Sequence, residues 1–271
     1  MKVLVTGANG FLGSHLVERL LSDGHVVHVL LREETKHSWA KDENCNVFYG
    51  DLLNIRSMEN SFESVEFVYH CAGLMSEKRS DNDKLLRVNV EGVHNILKLC
   101  SKFKIKRLVH VSSTVTLGAN FSSAGQRTEL DHYNLAHLNI PNTDSKMQGE
   151  RLVKSYAESN KLDVVVVNPS LIYGARDALK SVRSQNIKAA RGELKYYPKG
   201  SINIVSVKSV VSGIIKAAEK GVSGQSYILG GENISFKDLF SLIAKANGQG
   251  PPSKPIPNSL LKALGKIGDI F

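Results

Sequence analysis

The chain has 271 residues, of which 42% are apolar and 23% charged, a balance typical of a soluble globular protein. The net charge of +9 comes from 35 basic and 26 acidic side chains spread along the sequence, which excludes a basic tract of the kind that binds nucleic acid. No apolar run reaches the roughly 20 residues of a transmembrane segment, and three widely separated cysteines indicate neither a disulfide framework nor a metal site. We therefore expect a cytoplasmic protein.

Short β-branched segments alternate with helical patterns over the first 170 residues. The predicted strands are Val3–Thr6, Val26–Leu31, Val47–Tyr49, Phe67–Cys71, Arg107–Val111 and Val164–Asn168. The predicted helices are Gly10–Leu21, Leu85–Cys100 and Asn142–Ser159. Uninterrupted apolar strands separated by helices are typical of a parallel sheet that is covered on both faces. The pattern therefore predicts an α/β fold with a doubly wound parallel sheet.

The rest of the chain has a weaker pattern. The predicted elements are a strand at Ile202–Val207, a helix at Lys208–Lys220, a short strand at Tyr227–Leu229, a helix from the capping-box sequence Ser235–Asp238 through Lys245, a break at Gly248–Pro257 and a helical pattern from Leu260 to Phe271. We assign residues 1–170 and about 201–220 to a large domain. Residues from about 171 to 200 and from 221 to 271 would then form a small C-terminal lobe.

A glycine-rich turn joins the first strand to the first helix, with the sequence T-G-A-N-G-F-L-G over Thr6–Gly13. Gly7 permits a tight turn, Gly10 lets the backbone approach a pyrophosphate, and Gly13 allows close packing of the helix on the strand. The N-terminus of a helix also offers free N–H groups and the positive end of its dipole to phosphates. The turn therefore predicts that the large domain is a dinucleotide-binding domain of the Rossmann type.

Further motifs follow in an order known from one enzyme family. They are Gly50–Leu52, His70–Gly73, Asn89–Gly92, His110–Thr114 with Gly118, and Asn168–Pro169 with Tyr173–Gly174. Together with the glycine turn they resemble the extended branch of the short-chain dehydrogenases/reductases. This branch holds NAD-dependent epimerases/dehydratases of sugar nucleotides and dihydroflavonol-reductase-like enzymes. The resemblance covers roughly residues 1–245. Related chains usually continue beyond the position of Phe271, so we expect a shortened substrate lobe.

The resemblance implies a set of residues that contact a nicotinamide dinucleotide. They are Gly7, Asn9, Gly10, Phe11, Leu12, Gly13, Arg32, Asp51, Leu52, Cys71, Ala72, Gly73, Asn89, Lys146 and Pro169. In NAD-using members an acidic residue ends the second strand and binds the ribose hydroxyls, but here Leu31 holds that position and Arg32 follows it. A guanidinium can pair with a 2′-phosphate, which favours NADP, with NAD as the second choice. Glu33 or Glu34 could reach a ribose if the loop turns differently.

The family reaction uses a tyrosine that exchanges a proton with the substrate oxygen, a lysine four residues later that binds the nicotinamide ribose, and a serine that orients the substrate. Lys146 matches the lysine and Ser113 the serine, with Ser112 and Thr114 as neighbours that could substitute. The tyrosine position is Asn142. The predicted catalytic residues are therefore Ser113, Asn142 and Lys146.

Asn142 changes the chemistry that the resemblance implies. A carboxamide can donate a hydrogen bond and help to polarise a carbonyl, but it cannot release a proton near neutral pH. Tyr133, nine residues upstream, is one alternative proton donor. A second departure lies in the segment that resembles the family's V-x-V-D-D, where Lys208 and Ser209 replace both acidic residues.

Two functions therefore stay open. The first is an NADP-dependent oxidoreductase that acts on a small-molecule carbonyl, alcohol or sugar-nucleotide-type substrate with atypical acid–base chemistry. The second is a catalytically silent NADP-binding protein that works as a sensor, scaffold or regulatory subunit. The resemblance also suggests a homodimer through the helices predicted at Leu85–Cys100 and Asn142–Ser159.

Overall fold

The computed structural model describes residues 1–34, 36–76, 78–120, 125–159, 162–177 and 184–257. The chain divides into two compact units. The larger unit comprises Met1–Ile172 and Ser206–Gly230, and the smaller one comprises Tyr173–Val205 and the chain from Gly231 onward. The helical pattern predicted from Leu260 to Phe271 lies outside the described residues.

The elements of both units follow one another in this order. The strands are β1 (Lys2–Thr6), β2 (Val26–Leu31), β3 (Cys45–Tyr49), β4 (Phe67–His70), β5 (Arg107–Val111), β6 (Val164–Pro169), β7 (Leu171–Tyr173), β8 (Tyr196–Tyr197), β9 (Ser201–Ser206), β10 (Ser226–Leu229), β11 (Glu232–Ser235) and β12 (Lys254–Pro255). The helices are α1 (Phe11–Ser22), α2 (Ile55–Met58), α3 (Asn82–Leu86), α4 (Gly92–Lys102), α5 (Pro141–Glu158), α6 (Ser184–Ala190), α7 (Val207–Lys220) and α8 (Phe236–Ala246). None of these helices is both long and apolar enough to cross a membrane.

The large sheet contains seven strands in the order β10-β6-β5-β4-β1-β2-β3, and every neighbouring pair runs parallel. All six residues of β6 are buried, as expected for a strand covered on both faces. The predicted α/β fold with a Rossmann-type, doubly wound parallel sheet is confirmed. The strand order reverses at β1, which pairs with β2 on one side and with β4 on the other. Open sheets of this kind bind ligands at the carboxyl ends of the strands beside such a reversal.

Apolar helix faces cover the sheet. Helices α4 and α5 contact each other and share a core with the strands, in which Leu4, Leu108 and Val166 meet Ile96 and Val153. Helix α1 contacts α7, and both of these helices contact strands of the sheet. Each such apolar side chain contributes roughly 1.5–3 kcal/mol when fully buried, so this packing holds the carboxyl edge of the sheet in place.

The smaller unit has its own core, in which Ala189 packs with Ile234, Leu239 and Phe240. Strand β9 pairs antiparallel with β11, and β8 pairs with β12. The predicted capping box opens α8, because the Ser235 hydroxyl oxygen accepts a hydrogen bond from the Asp238 N–H at 3.1 Å.

The structure corrects the predicted boundaries between the two units. Strand β10 belongs to the large sheet, where it pairs in parallel with β6, so residues 221–230 are part of the larger unit. Residues 201–205 belong to the smaller unit instead. Tyr227–Leu229 is a short, partly buried strand, and its pairing with β6 joins segments that are about 60 residues apart, which no local pattern reveals.

Candidate active site

The turn after β1 requires glycine at two positions. Gly7 has a φ of +72°, a region that other residues rarely adopt, and a Cβ there would lie 2.6 Å from the amide nitrogen of Ala72. A Cβ at Gly13 would overlap the carbonyl oxygen of Gly7. Gly13 therefore lets α1 begin directly against the turn. The sequence predicted a different reason for this glycine, the close packing of the helix on the strand.

The first turn of α1 leaves its backbone donors available. Gly10 is the N-cap residue, no side chain caps the helix, and its first turn contains no acidic residue. The amides of Phe11, Leu12 and Gly13 have no acceptor within the helix, because the first N–H groups of any α-helix lack one. Asn9 and Gly10 are exposed. This helix start therefore presents free N–H donors and the positive end of its dipole, which are the groups that favour an anion.

The loop after β4 meets the turn where the strand order reverses. Thr6 and His70 are register partners on β1 and β4, and their side chains are joined by a hydrogen bond of 2.7 Å between Oγ1 and Nδ1. Thr6 Oγ1 also accepts a hydrogen bond from the Ala72 N–H at 3.3 Å. One threonine thus holds the Cys71–Gly73 loop close to Gly7.

Asn89 fixes the next part of this loop. It lies in a π-helical turn, Arg87–Glu91, that connects α3 to α4. Its Oδ1 accepts a hydrogen bond from the Leu74 N–H at 2.8 Å, and its Nδ2 donates to the Leu74 carbonyl at 3.0 Å and to Ser145 Oγ at 3.0 Å. The Ser145 hydroxyl donates to the Asn142 carbonyl at 2.9 Å. One buried carboxamide therefore joins the β4 loop to the start of α5.

Lys146 lies four residues after Asn142 on α5, so the two share one helix face. Its ammonium lies beside Gly73, where a Cβ would come within 2.8 Å of Nζ. Burial lowers the pKa of Lys146, and the neighbouring Cys71 thiol opposes that shift by a smaller amount. Burial likewise raises the pKa of the Cys71 thiol, to about 12. Among the described residues, no carboxylate or hydrogen-bond acceptor pairs with the Lys146 ammonium.

Two histidines are buried beneath the β4 loop. His70 and His110 are register partners on β4 and β5, and their rings stack with centroids 5.4 Å apart. Burial lowers the pKa of His70 well below its usual range, and the charges of His110 and Lys146 lower it further. Burial, with the Lys146 charge, lowers the pKa of His110 to about 3. Both imidazoles are therefore neutral near pH 7.

Glu150, one turn after Lys146 on the same face of α5, organises a buried polar network. Its Oε2 accepts hydrogen bonds from Ser112 and Thr116 at 2.6 Å each and from Asn168 Nδ2 at 2.9 Å. Its Oε1 lies 2.8 Å from the Lys154 ammonium. Burial alone would raise the pKa of Glu150, but the hydrogen bonds from Lys154, Ser112 and Thr116 outweigh it and the net pKa is lowered. The carboxylate therefore stays ionised.

The hydrogen-bond network around Glu150 involves Ser112 and Ser113 in different ways. Ser112 is buried and donates its hydroxyl to Glu150, so it has a structural partner. Among the described residues, the hydroxyl of Ser113 has only a weak hydrogen bond, which it accepts from the Val115 N–H at 3.4 Å, and the Ser113 carbonyl accepts from Asn168 Nδ2 at 3.1 Å. The backbone of Ser113 is thus fixed while its hydroxyl keeps its donor.

Asn142 is the second residue of α5, where its Oδ1 is buried without a hydrogen-bond partner among the described residues. Orphaned buried acceptors are rare in folded proteins, and they mark places where a partner is expected. Tyr133, the alternative proton donor, is already engaged, because its hydroxyl donates a hydrogen bond to Asp144 at 2.6 Å. Burial and the Asp144 hydrogen bond raise the pKa of Tyr133, so this phenol is a poor proton donor.

The expected adenine side of the site is more exposed. Leu31 is buried at the end of β2, and the next residue, Arg32, is exposed. Asp51 accepts a hydrogen bond from the Leu53 N–H at 2.8 Å, and Leu52 packs into the core beside Gly92. The segment with Lys208 and Ser209 instead opens α7, where the Ser206 hydroxyl accepts from the Ser209 N–H at 3.0 Å.

Apart from Arg32, Asp51 and Leu52 on the expected adenine side, the predicted site residues fall into two groups in the larger unit. The glycine-rich turn meets the Cys71–Gly73 loop at Gly7, and Lys146 meets the same loop from α5. Hydrogen bonds link Asn142 to Asn89 through Ser145, and Asn168 joins Ser113 to the strand that ends at Pro169.

Sequence reasoning assigned no role to Glu150, Thr116, Asn168 or His110. One signal could have indicated Glu150, because it continues the spacing of Asn142 and Lys146 along one face of α5. Its partners come from two distant segments of the chain, Ser112 and Thr116 from the segment after β5 and Asn168 from β6.

The fold and this edge define a dinucleotide-binding protein of the Rossmann class. Residues 3–230 match the family described as "NAD dependent epimerase/dehydratase family". The chain belongs to this family of extended short-chain dehydrogenases/reductases, whose members are NAD(P)-dependent oxidoreductases, epimerases and dehydratases.

Individual relatives agree on the class and differ in substrate. The chain is 30% identical to "Sterol demethylase protein B" of Methylococcus capsulatus over 99% of this chain and 81% of the relative. It is 28% identical to "Tetraketide alpha-pyrone reductase 1" of Arabidopsis thaliana, over 96% and 84% of the two chains. A UDP-glucose 4-epimerase of Thermus thermophilus, solved with NAD, superposes with a TM-score of 0.78 at 25% identity over 95% of this chain and 88% of that chain.

Proposed function

We propose that this chain is an NADP-dependent oxidoreductase that acts on a small-molecule carbonyl, alcohol or sugar-nucleotide-type substrate. The observation that carries the proposal is the convergence of an uncapped helix start and an unpaired ammonium on one loop. The turn that leads into α1 contacts the Cys71–Gly73 loop at Gly7, and the Lys146 ammonium lies beside Gly73, at the reversal of the strand order. A dinucleotide needs these two groups, one for its pyrophosphate and one for its nicotinamide ribose.

The residues fit such a cofactor. In the proposed arrangement, the amides of Phe11, Leu12 and Gly13 hold the pyrophosphate, and Lys146 holds the ribose beside Gly73. A Cβ at Gly73 would lie 2.8 Å from the Lys146 ammonium, so the glycine keeps that ammonium accessible. When bound, a nicotinamide supplies or accepts a hydride. The matching proton and the orientation of the substrate are left to the protein.

The remaining cofactor contacts are proposed from their positions. Asn9 and Gly10 are exposed at the turn, and Asp51 and Leu52 follow β3 at the expected adenine side. Asn89 positions the loop through Leu74. Pro169 ends β6 at the same edge of the sheet.

Arg32 supports NADP as the cofactor. It follows the last residue of β2, next to the strand that carries the phosphate turn, and it is exposed. The preceding side chain, Leu31, is buried and cannot accept a ribose hydroxyl. A guanidinium pairs with a 2′-phosphate through charge-assisted hydrogen bonds worth about 1.5–3 kcal/mol, which is roughly 10- to 100-fold in affinity.

Fluorescence titration with NADPH and NADH tests this assignment. We expect tighter binding of NADPH, and a loss of roughly 10- to 100-fold in NADPH affinity but not in NADH affinity for Arg32→Ala. Arg191→Ala, an exposed arginine of the smaller unit, is the matched control and should change neither affinity. Equal affinities that the Arg32 substitution leaves unchanged would reject NADP in favour of NAD.

A second candidate function is a catalytically silent NADP-binding protein. The observation that favours it is the absence of an available phenol at the start of α5, because residue 142 is a carboxamide and Tyr133 is hydrogen-bonded to Asp144. General acid catalysis typically contributes about 10²–10⁴ in rate, so a site without a proton donor could bind the cofactor and turn over very slowly.

Turnover of Asn142→Tyr separates the two functions. NADPH oxidation is followed with a panel of aldehydes, ketones and sugar nucleotides, for the natural chain and for the variant. Turnover by both forms supports the oxidoreductase, whereas turnover by the tyrosine form alone supports the silent binder. Gln148→Tyr, which adds a phenol at an exposed position of the same helix, controls for the new aromatic ring. A homodimer through α4 and α5 stays a prediction that light scattering in solution would test.

A further inference from the structure

An oxidoreductase of this kind needs a proton at the substrate oxygen, and the usual group is missing. Asn142 has no proton to release near neutral pH. Tyr133 donates to Asp144, and its pKa is raised by burial and by that hydrogen bond. The Ser113 hydroxyl can orient an oxygen, but an alcohol is too weak an acid to supply the proton unaided. Some other group must therefore do so.

Lys146 meets the geometric requirements for that role. It lies one helical turn from Asn142 on the same face of α5, and its side chain is only partly buried. Within the described chain its ammonium is engaged by no carboxylate or carbonyl, and the residue beside it is Gly73, which has no side chain. A protonated amine so placed keeps its three N–H donors for a ligand.

The surroundings of Lys146 also favour release of its proton. The titratable groups that act on it from β4 and β5 are Cys71, His70 and His110, and none of them carries a negative charge near pH 7. On its own helix, Glu150 is occupied by Lys154, Ser112 and Thr116. Burial lowers the pKa of Lys146. A desolvated lysine of this type is a recognised acid or base in enzymes.

We propose that Lys146 is the proton donor of this chain in carbonyl reduction, in place of the phenol that residue 142 lacks. The inference rests on the proposed function, because it needs a bound carbonyl substrate and a hydride source. Asn142 and Ser113 would then hold the substrate oxygen by hydrogen bonds without exchanging a proton with it.

The proton balance of the step is complete. One N–H bond of the Lys146 ammonium breaks and an O–H bond forms at the substrate oxygen, as the carbonyl carbon gains a hydride from a reduced nicotinamide. The product is an alcohol, and Lys146 is left as a neutral amine. The amine then takes a proton from solvent water, which restores the ammonium for the next turnover.

The first test measures the proton affinity of Lys146 without any substrate. Competitive acetylation of the whole protein across a pH series, read for each lysine by peptide mass spectrometry, reports where each amine loses its proton. We expect Lys146 to become reactive at a lower pH than exposed lysines such as Lys216. Labelling of Lys146 only at the pH of the exposed lysines would overturn the proposal.

The second test uses Lys146→Arg, which keeps the positive charge and the donors but does not release a proton in proteins. With NADPH and 4-nitrobenzaldehyde as the probe, single-turnover reduction by the natural chain should slow as the pH rises through the pKa of Lys146, because the ammonium is consumed. The arginine variant should lose about 10²-fold or more in rate and show no such pH dependence, with NADPH affinity within about tenfold. Lys216→Arg is the control and should behave like the natural chain.

The outcomes separate the proposed function from this inference. Failure of the natural chain to bind NADPH or NADH rejects the proposed function itself. Binding without reduction of the probe, or reduction by Lys146→Arg at nearly the natural rate, rejects Lys146 as the donor while the cofactor assignment stands. If the arginine variant fails to fold, the acetylation profile and the pH dependence of the natural chain decide the question.

Discussion

Two halves of the same sheet edge are built in different ways. The half that we propose to bind the cofactor, called the cofactor half, runs from Gly7 to Gly13 and along the Cys71–Gly73 loop. It consists mainly of backbone amides and of glycines that permit close contact. The half that we propose to act on the substrate, called the catalytic half, consists of side chains on α5 and after β5, held by a buried carboxylate at Glu150.

The difference shows which half can change its chemistry. Backbone donors are present wherever the chain folds this way, so the cofactor half depends on shape and hardly on side-chain identity. The catalytic half depends on the functional groups themselves. Asn142 illustrates this, since it lies in the first turn of α5 and offers a carboxamide, which has no proton to release near neutral pH. The fold therefore supports the cofactor strongly, and it supports any particular reaction much less strongly.

The largest effect should come from breaking the network of the catalytic half. Glu150→Ala removes a buried acceptor of three hydrogen bonds and the partner of Lys154. Loss of one member of a buried ion pair costs about 3–5 kcal/mol, and the Lys154 side chain is 32% exposed and can recover water, so we expect the lower end. Urea unfolding followed by circular dichroism measures the loss.

Glu158→Ala is the control for that substitution, because it removes an exposed carboxylate from the same helix. It should change the free energy of unfolding by less than about 0.5 kcal/mol. A loss below about 1 kcal/mol for Glu150→Ala would mean that the network is easily replaced by water, and that Ser113 is not held by it.

An effect of comparable size should come from the cofactor half. Gly7→Ala forces an ordinary residue to a φ of +72° and brings its Cβ within 2.6 Å of the Ala72 nitrogen. The strained conformation costs about 1–2 kcal/mol and the overpacking a further 1–3 kcal/mol. NADPH binding should weaken strongly as well, because the turn and the β4 loop must separate.

Gly24→Ala isolates the conformational part of that effect. Gly24 has a φ of +81°, and a Cβ there would meet nothing within 4 Å. Its substitution should therefore show the conformational cost alone, with NADPH affinity unchanged. Equal losses of stability for the two alanine variants would show that the contact between Gly7 and Ala72 relaxes freely, and that the close approach is not required.

The sequence predicted the fold well, because the fold follows from local patterns. Strand β2 occupies the predicted residues Val26–Leu31, and the capping box at Ser235 opens α8 as expected. The glycine turn could be assigned since three glycines at fixed spacing have a direct backbone meaning. Periodicity and turn chemistry act over a few residues, which is the range that a single sequence reveals.

The rest of the site depends on contacts between distant segments. Glu150 meets Ser112, Thr116 and Asn168, which lie 38, 34 and 18 residues away along the chain. The stack of His70 on His110 arises only because β4 and β5 are neighbours in the sheet. The strand pairing of β10 was missed for the same reason. Such tertiary contacts leave no local pattern in one sequence.

The smallest predicted effect concerns the histidine stack, which lies beneath both halves. The pKa of His70 and that of His110 are lowered by burial in the folded chain, whereas both return to about 6.5 on unfolding. The unfolded chain therefore binds more protons below pH 6.5, and stability falls as the pH drops from that value towards the folded pKa, about 3 for His110. Each histidine contributes a slope of up to about 1.4 kcal/mol per pH unit.

His110→Phe keeps a ring in the stack and removes one of these two titrations. Urea unfolding at pH 7 and pH 5 should show that the variant loses less stability on acidification than the natural chain, by up to about 1.4 kcal/mol per pH unit. His132→Phe, at an exposed position, should retain the natural slope. An unchanged slope in His110→Phe would mean that His110 gains a proton in the folded chain. That proton would add a second positive charge near Lys146, and the cofactor and catalytic halves would then share a common dependence on acid.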